Sequence, residues 1–307
     1  MNALVTGGAG QDGFYLCHAL HREGHEVHGL YRGQGEDRLS LLEAEMPFVR
    51  WHRGDMTDSA SLVSVVRQVQ PDLIFNLAAC SYVGLSWQMP KLYMETNTIG
   101  VLNLLEAAKH TNAHIVQAST SEMYGNSSEM LNEDSPMVPQ SPYGVSKLAA
   151  HRLCQVYRES YGMHVSCAIS FNHESPRRPP VFVSRKVTQA AARGNPVSLG
   201  NIAIERDWGF AGDYVEAYIA MAQAPEADDY VVATGKSHSL HELVETAYYI
   251  AGTQLKIYTE TSDRAAEVWS LRANPSKIER KLGWKARTSF KELIEMMVEA
   301  DREKVLA

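Results

Sequence analysis

The chain has 307 residues, of which 45% are hydrophobic and 21% charged, with a net charge of −7. That length supports a large core and two lobes. No Lys/Arg run marks a nucleic-acid partner, and no apolar stretch is long enough to span a membrane. The four cysteines (Cys17, Cys80, Cys154, Cys167) lack metal-ligand or redox-pair spacing. No metal is therefore expected, and they read as reduced thiols of a cytoplasmic protein.

A strand is predicted at Asn2–Thr6, which reads as a chain without a signal peptide. Then follow a helix at Gln11–Arg22, strands at Glu26–Leu30 and Phe48–His52, a helix at Ser59–Gln70 and a strand at Asp72–Leu77. A long helix is predicted over Tyr93–His110, with Leu102, Leu105 and Ala108 on one face. Strand His114–Ala118, helix Gly144–Tyr161 and strand His164–Ser170 complete the series. Such alternation predicts an α/β fold with a parallel sheet built from βαβ units. After Phe171 the elements shorten, and proline and arginine cluster at Pro176–Pro180. Residues 1–170 are read as one domain and 171–307 as a smaller substrate-binding lobe, discontinuous because segments near 205–235, Tyr230–Ala233 among them, return to the main sheet.

Between the first strand and the first helix stands Gly7-Gly8-Ala9-Gly10-Gln11-Asp12-Gly13, a G-x-x-G-x-x-G turn. Glycine allows a tight turn and close approach to a pyrophosphate, whose charge suits a helix N-terminus. In this strand–turn–helix setting it predicts a Rossmann-type, doubly wound nucleotide-binding fold, with Gly7, Gly10, Gln11, Asp12 and Gly13 at the cofactor. Past the second strand comes Arg32, where an acidic residue would hold the ribose of NAD and an arginine suits a 2′-phosphate. NADP is the expected cofactor, with NAD as the alternative. Asp55 and Met56 follow the third strand, placed for an adenine. Leu77, Ala79 and Ser81 follow the fourth, small enough to leave room for a nicotinamide ribose.

The chemistry is expected after the fifth strand. Thr120 and Glu122 lie just beyond its carboxyl end, where open α/β sheets bind ligands. Tyr143 and Lys147 are four residues apart at the head of a helix and project from one face. A lysine there is expected to lower the pKa of the phenol and make it a usable base. A hydroxyl, a carboxylate, a phenol and an ammonium around one sheet edge suit hydride transfer from an alcohol.

Several segments carry a likeness that goes beyond this pattern: TGGAGQDGFYL at Thr6–Leu16, QASTSEMYG at Gln117–Gly125, SPYGVSK at Ser141–Lys147, FNHESPRR at Phe171–Arg178 and RDWGFAGDYV at Arg206–Val215. Through them the chain resembles the extended short-chain dehydrogenases/reductases, and within these the GDP-mannose 4,6-dehydratase family. The YxxxK pair and the glycine turn identify the superfamily; TSE, FNHESPRR and RDWG point to the dehydratases. The resemblance implies that Tyr143 takes a proton from the sugar 4-hydroxyl and that Glu122 removes the C5 proton and protonates the departing 6-hydroxyl. Thr120 would hold the 4-oxygen, and Lys147 the nicotinamide ribose. By the same resemblance His173 and Arg178 would touch the cofactor, Asn172 the sugar nucleotide, Arg206 and Arg264 its diphosphate, Lys186 its base, and Ser81 and Ser86 the sugar. Where the family has Arg-Arg after the second strand this chain has Arg32-Gly33, it has Cys80 in place of a glutamine, and Ile257–Val268 is short. In the superfamily the helices at Tyr93–His110 and Gly144–Tyr161 pair across a two-fold axis, which implies a homodimer, with a tetramer as the alternative.

The expected function is therefore NADP-dependent 4,6-dehydration of a nucleotide sugar, GDP-mannose being the substrate the resemblance implies. Another GDP sugar, such as a GDP-heptose, is the alternative that the short Ile257–Val268 segment keeps open. A 4-reductase or epimerase of the same fold has no need of a C5 base, so Glu122 argues against it. A nucleotide-sensing protein without catalysis has no use for Thr120, Glu122, Tyr143 and Lys147 together.

Overall fold

Apolar runs at Asn2–Thr6 (β1), Glu26–Tyr31 (β2), Val49–Arg53 (β3), Leu73–Asn76 (β4) and His114–Ala118 (β5) form strands in a computed structural model that describes residues 1–33, 36–259 and 268–306. Val165–Ser170 and Asp229–Val232 complete a seven-stranded sheet, in the order Asp229–Val232, Val165–Ser170, β5, β4, β1, β2, β3. Every pairing in it is parallel. Strands covered on both faces read as continuous apolar runs, and all six residues of Val165–Ser170 are buried. On one face pack α1 (Gln11–Arg22) and the helix Ala211–Gln223, through Leu16, Leu20, Tyr214 and Tyr218. On the other pack α3 (Ser59–Val69) and the helices Gly100–Ala108 and Pro142–Tyr161, through Leu62, Val66, Leu104 and Cys154. The fold is a doubly wound Rossmann-type sheet.

Strand order reverses between β1 and β4, which opens a crevice at their carboxyl ends. A second sheet lies over that crevice: Glu205–Phe210 pairs with Ser237–Ser239, Ser270–Ala273 and Asn172–Glu174, and Met130–Leu131 pairs with Ser270–Ala273. Helices Val183–Arg193, Leu240–Ala251 and Phe290–Leu306 back this part of the molecule, packed through Val187, Leu243 and Met297.

Two local expectations need correction. The segment read as one helix over Tyr93–His110 is a helix Pro90–Met94, a π turn Glu95–Ile99 and a helix Gly100–Ala108. Side chains of the turn explain the interruption. Asn97 accepts from Cys80 N at 2.8 Å and donates to Cys80 O and Ser146 Oγ at 3.0 Å each, while Thr98 donates to Ser146 O at 2.8 Å. Glu36, Asp37 and Arg38, which read as part of a loop with Arg32, begin a helix over Glu36–Glu45 (α2), anchored by buried Leu42 with Met46 just beyond it. Among the described residues no helix is long and apolar enough to cross a membrane. All four cysteines are free thiols, and only Cys80 is not fully buried.

Candidate active site

The glycine turn ends β1 and starts α1. Gly7 has φ of +68°, and a Cβ there would stand 2.9 Å from Ala78 N. A Cβ on Gly13 would stand 2.4 Å from Gly7 O, so α1 can lie against the turn only without a side chain. No side chain caps α1 at Gly10, which leaves its first N–H groups directed at the crevice. This is a cradle for a pyrophosphate, and the donor set fits a dinucleotide. Strand ends around it are tied by a buried relay: Thr6 Oγ1 lies 2.5 Å from Asn76 Oδ1, and Asn76 Nδ2 donates to Gln117 Oε1 at 2.7 Å.

Next to the cradle, the segment after β5 meets the helix Pro142–Tyr161. Thr120 caps the short 3₁₀ turn Ser121–Met123 by accepting from Glu122 N. Ser141 caps the long helix by accepting from Gly144 N at 3.0 Å. A Cβ on Gly144 would lie 2.8 Å from Glu122 O, so this glycine lets the two segments close up. Tyr143 and Lys147 are buried on the inner face of the helix. Lys147 Nζ donates to Ala118 O at 2.5 Å.

The electrostatics correct one expectation. Burial pushes the Tyr143 phenol up to about 12; the Thr120 hydrogen bond lowers it and the Glu122 charge raises it further. Burial also pushes Lys147 down to about 8. Lys147 therefore does not make Tyr143 acidic in the ligand-free protein. Desolvation of both groups outweighs their spacing, because each loses water to the same closed environment.

Nearly all the residues singled out from sequence line one cleft of about 760 Å³. Gly7, Gly10, Gln11, Asp12 and Gly13 form one end, with Arg32, Asp55 and Met56 beside them and Leu77, Ala79 and Ser81 along the wall. Thr120, Glu122, Tyr143 and Lys147 lie at the centre, and Asn172, His173, Arg178 and Arg206 of the second sheet and its loops, with Lys186 of the helix Val183–Arg193, line the same cleft. His173 is engaged at both nitrogens: Nε2 to Asp12 Oδ2 at 2.8 Å and Nδ1 to Phe171 O at 2.7 Å. Arg178 pairs with Glu174 at 3.0 Å and stacks on Phe182 at 3.6 Å. Buried Arg206 donates to Glu205 O at 2.8 Å and Val268 O at 2.7 Å. Ser86 needs correction as a sugar contact: it is wholly buried, gives its hydroxyl to Val83 O at 2.6 Å and does not line the cleft. Arg264 lies outside the described residues.

Residues 4–297 match the model of the family described as GDP-mannose 4,6 dehydratase. The chain belongs to this family. GDP-mannose 4,6 dehydratase 1 of Arabidopsis thaliana is 41% identical over 332 residues, covering 99% of this chain and 92% of that protein. The Homo sapiens GDP-mannose 4,6 dehydratase is 38% identical over 340 residues, covering 98% of this chain and 91% of that protein. Among solved structures, Thermus thermophilus UDP-glucose 4-epimerase in complex with NAD superposes with a TM-score of 0.90 at 29% identity, covering 98% of this chain and 99% of that one. The enzyme class expected from sequence, a hydro-lyase on the extended short-chain dehydrogenase/reductase fold, is that of its family.

This GDP-mannose 4,6-dehydratase family member also lines its cleft with residues that sequence reading passed over. Thr96, in the π turn, has a buried hydroxyl with no hydrogen-bond partner among the described residues, and it lines the cleft. Tyr218 reaches the floor from the helix Ala211–Gln223 and bonds Ser170 Oγ at 2.9 Å. Tyr82 meets Phe182 edge-on at 5.7 Å, both lining the cleft. None of these had a sequence signal: each sits in a segment whose pattern reads as ordinary helix or loop.

Proposed function

We propose that the protein converts GDP-mannose to GDP-4-keto-6-deoxymannose and water, with a bound nicotinamide cofactor. The observation that carries this is the convergence of Thr120, Glu122, Tyr143 and Lys147 in one cleft beside an uncapped glycine turn, in a chain of this family.

The cofactor, when bound, supplies the acceptor for the sugar's C4 hydrogen and, in its oxidised form, a positive charge next to the phenol. Tyr143 takes the proton of the 4-hydroxyl. Its phenol is within hydrogen-bonding reach of Thr120, whose hydroxyl holds the 4-oxygen; the charge of an oxidised nicotinamide held in this cleft would offset the effect of burial. Lys147, fixed on Ala118 O, binds the ribose next to Tyr143. Glu122 removes the C5 proton, acidified by the 4-ketone, and delivers a proton to the leaving 6-hydroxyl, which departs as water; the hydride taken from C4 would then return to C6 and a solvent-exchanged proton would add at C5, so that the cofactor would end as it began. Asn172, Lys186 and Ser81 hold the sugar nucleotide, and Arg206 its diphosphate as a guanidinium fork; Arg264 belongs to the same reading. NADP is the preferred cofactor because Arg32 lines the cleft past β2, with Asp55, Met56, His173 and Arg178 as further contacts. Residues 1–170 with returning segments near 205–235, the helix Ala211–Gln223 and the strand Asp229–Val232 among them, form the cofactor domain, and the rest after 171 the discontinuous sugar-nucleotide lobe.

A homodimer in the cytoplasm is part of the proposal. Exposed Met94 and Ile99 on one helical segment, and Val145 and Val156 on the helix Pro142–Tyr161, support the pairing; the free thiols support the compartment. Incubation of purified protein with GDP-mannose in D₂O, without added cofactor, tests the activity: product should carry deuterium at C5 with no net NADPH consumption. Glu122→Gln should retain cofactor and lose dehydration by a hundredfold or more. Normal turnover by that variant would refute the assignment of Glu122.

A further inference from the structure

We propose that His151 is a positioning residue that acts through Ser119, turning the Ser119 hydroxyl into a hydrogen-bond donor toward the nicotinamide cofactor. The inference rests on the reading above that this cleft holds such a cofactor. His151 lies one turn beyond Lys147 on the same helix and is wholly buried. Its Nδ1 is 3.0 Å from Ser119 Oγ, and Ser119 lines the cleft between Ala118 and Thr120.

The direction of that bond is decided on the far side of the ring. Gln155 Oε1 accepts from Arg152 at 2.7 Å, and Gln155 Nε2 donates to Asp229 Oδ2 at 2.6 Å. Its amide is thereby oriented, with the NH₂ group 3.2 Å from His151 Nε2. Nε2 then accepts, and the neutral ring carries its proton on Nδ1. Nδ1–H donates to Ser119 Oγ, so the serine proton turns away from the ring and into the cleft. Burial opposes charging the ring, but Cys167 and the Asp229 carboxylate, 3.5 Å from Nε2, outweigh it and raise the imidazole to about 9; below that pH the added proton sits on Nε2 and Nδ1–H stays in place. The other groups at the imidazole are Cys167 on the strand Val165–Ser170, with Cys154 bonded to it, and Arg158 beyond Asp229. His151, Cys167 and Asp229 lie within 4.8 Å of one another, but Asp229 is already held by Arg158 at 2.5 Å. The group is a hydrogen-bond junction, not a cation site.

Nitrogen-15 NMR of the wild-type imidazoles should show Nδ1 of His151 protonated throughout the pH range. In Gln155→Leu, whose side chain does not line the cleft, the ring that is neutral above pH 9 should move its proton to Nε2 against Asp229, and NADP binding measured there should weaken about 3- to 10-fold, the equivalent of one hydrogen bond. Ser119→Ala should weaken NADP binding by the same factor, and the double variant no further; His151→Gln, which keeps a donor, should restore more affinity than His151→Leu. An unprotonated Nδ1 in the wild type, or wild-type affinity in Ser119→Ala, overturns the proposal. Failure of the wild type to bind NADP or NAD at all would overturn the reading of the cleft itself, whereas cofactor binding with an unprotonated Nδ1 overturns only the role of His151.

Discussion

His173 Nε2 lies 2.8 Å from Asp12 Oδ2, joining a strand of the second sheet to the first turn of α1 across 161 residues of chain. Gln11 and Ser175 add to the same latch, with Gln11 Nε2 donating to His173 O at 3.1 Å and Ser175 Oγ donating to Gln11 Oε1 at 2.9 Å. Cofactor cradle and substrate side are thus one mechanical unit.

Breaking that latch has a predicted cost and pH signature. Burial works against the His173 cation, but the charge and hydrogen bond of Asp12 outweigh it and raise His173 above its ordinary 6.5. Burial likewise opposes the Asp12 carboxylate, and His173 outweighs it, holding Asp12 below 3.8. On the histidine side, the stabilisation is fully present below pH 6.5 and lost as pH rises through the raised value. On the carboxylate side it is present above pH 3.8 and lost as pH falls through the depressed value. His173→Leu should cost about 2 kcal/mol, because the half-buried Asp12 loses a charge-assisted hydrogen bond but keeps the one from Gln11 Nε2 at 3.0 Å. Urea unfolding at pH 5.5 and pH 9 checks this: the gap between wild type and variant should narrow at pH 9.

Lys147 should be a place where function and stability oppose each other. Its ammonium is buried, and burial pushes it from 10.5 to about 8. Lys147→Met removes that desolvation and should raise stability at pH 7 by roughly 1–3 kcal/mol while reducing turnover by about 10² or more. Between pH 8 and pH 10.5 the folded wild type sheds the proton that its unfolded chain keeps. The wild type should therefore regain ground on the variant across that window, as thermal melts would record.

Gly13→Ala and Gly10→Ala should separate close packing from mere crowding. At Gly13 the added Cβ meets backbone at 2.4 Å, where nothing flexible can yield; at Gly10 the nearest atom is 3.1 Å away. The first change should cost more than about 2 kcal/mol and abolish cofactor binding, the second about 1 kcal/mol or less. Calorimetric titration with NADP and melting curves report both. Equal losses in the two variants would contradict the geometry.

Charge introduced on the exposed apolar helices should leave the protein folded but monomeric. Ile99 is 47% exposed and Val156 50%. Ile99→Glu with Val156→Glu should give unchanged circular dichroism and a sedimentation coefficient of one chain, against two for the wild type. A monomeric wild type would remove the dimer from the proposal.

Some of this protein is written in short stretches of its sequence. His114–Ala118 is a strand over the residues that its apolar run delimits, Gln11–Arg22 is a helix from glycine turn to basic end, and both are set by local periodicity and glycine geometry. Family motifs such as TSE and FNHESPRR are equally local and carried the dehydratase likeness. Other features have no local cause. The break at Glu95–Ile99 comes from Asn97 and Thr98 bonding Ser146, some fifty residues on. Ser86 turned into the wall because Val83 O took its hydroxyl. Tyr143 and Lys147 moved away from each other in pKa expectation because the fold removed their water. His151 received its tautomer from Gln155 and Asp229, the latter from a strand that returns to the sheet late in the chain. Periodicity and turn chemistry act over a few residues. Desolvation and side-chain partnership act between segments, and only the assembled sheet brings those segments together.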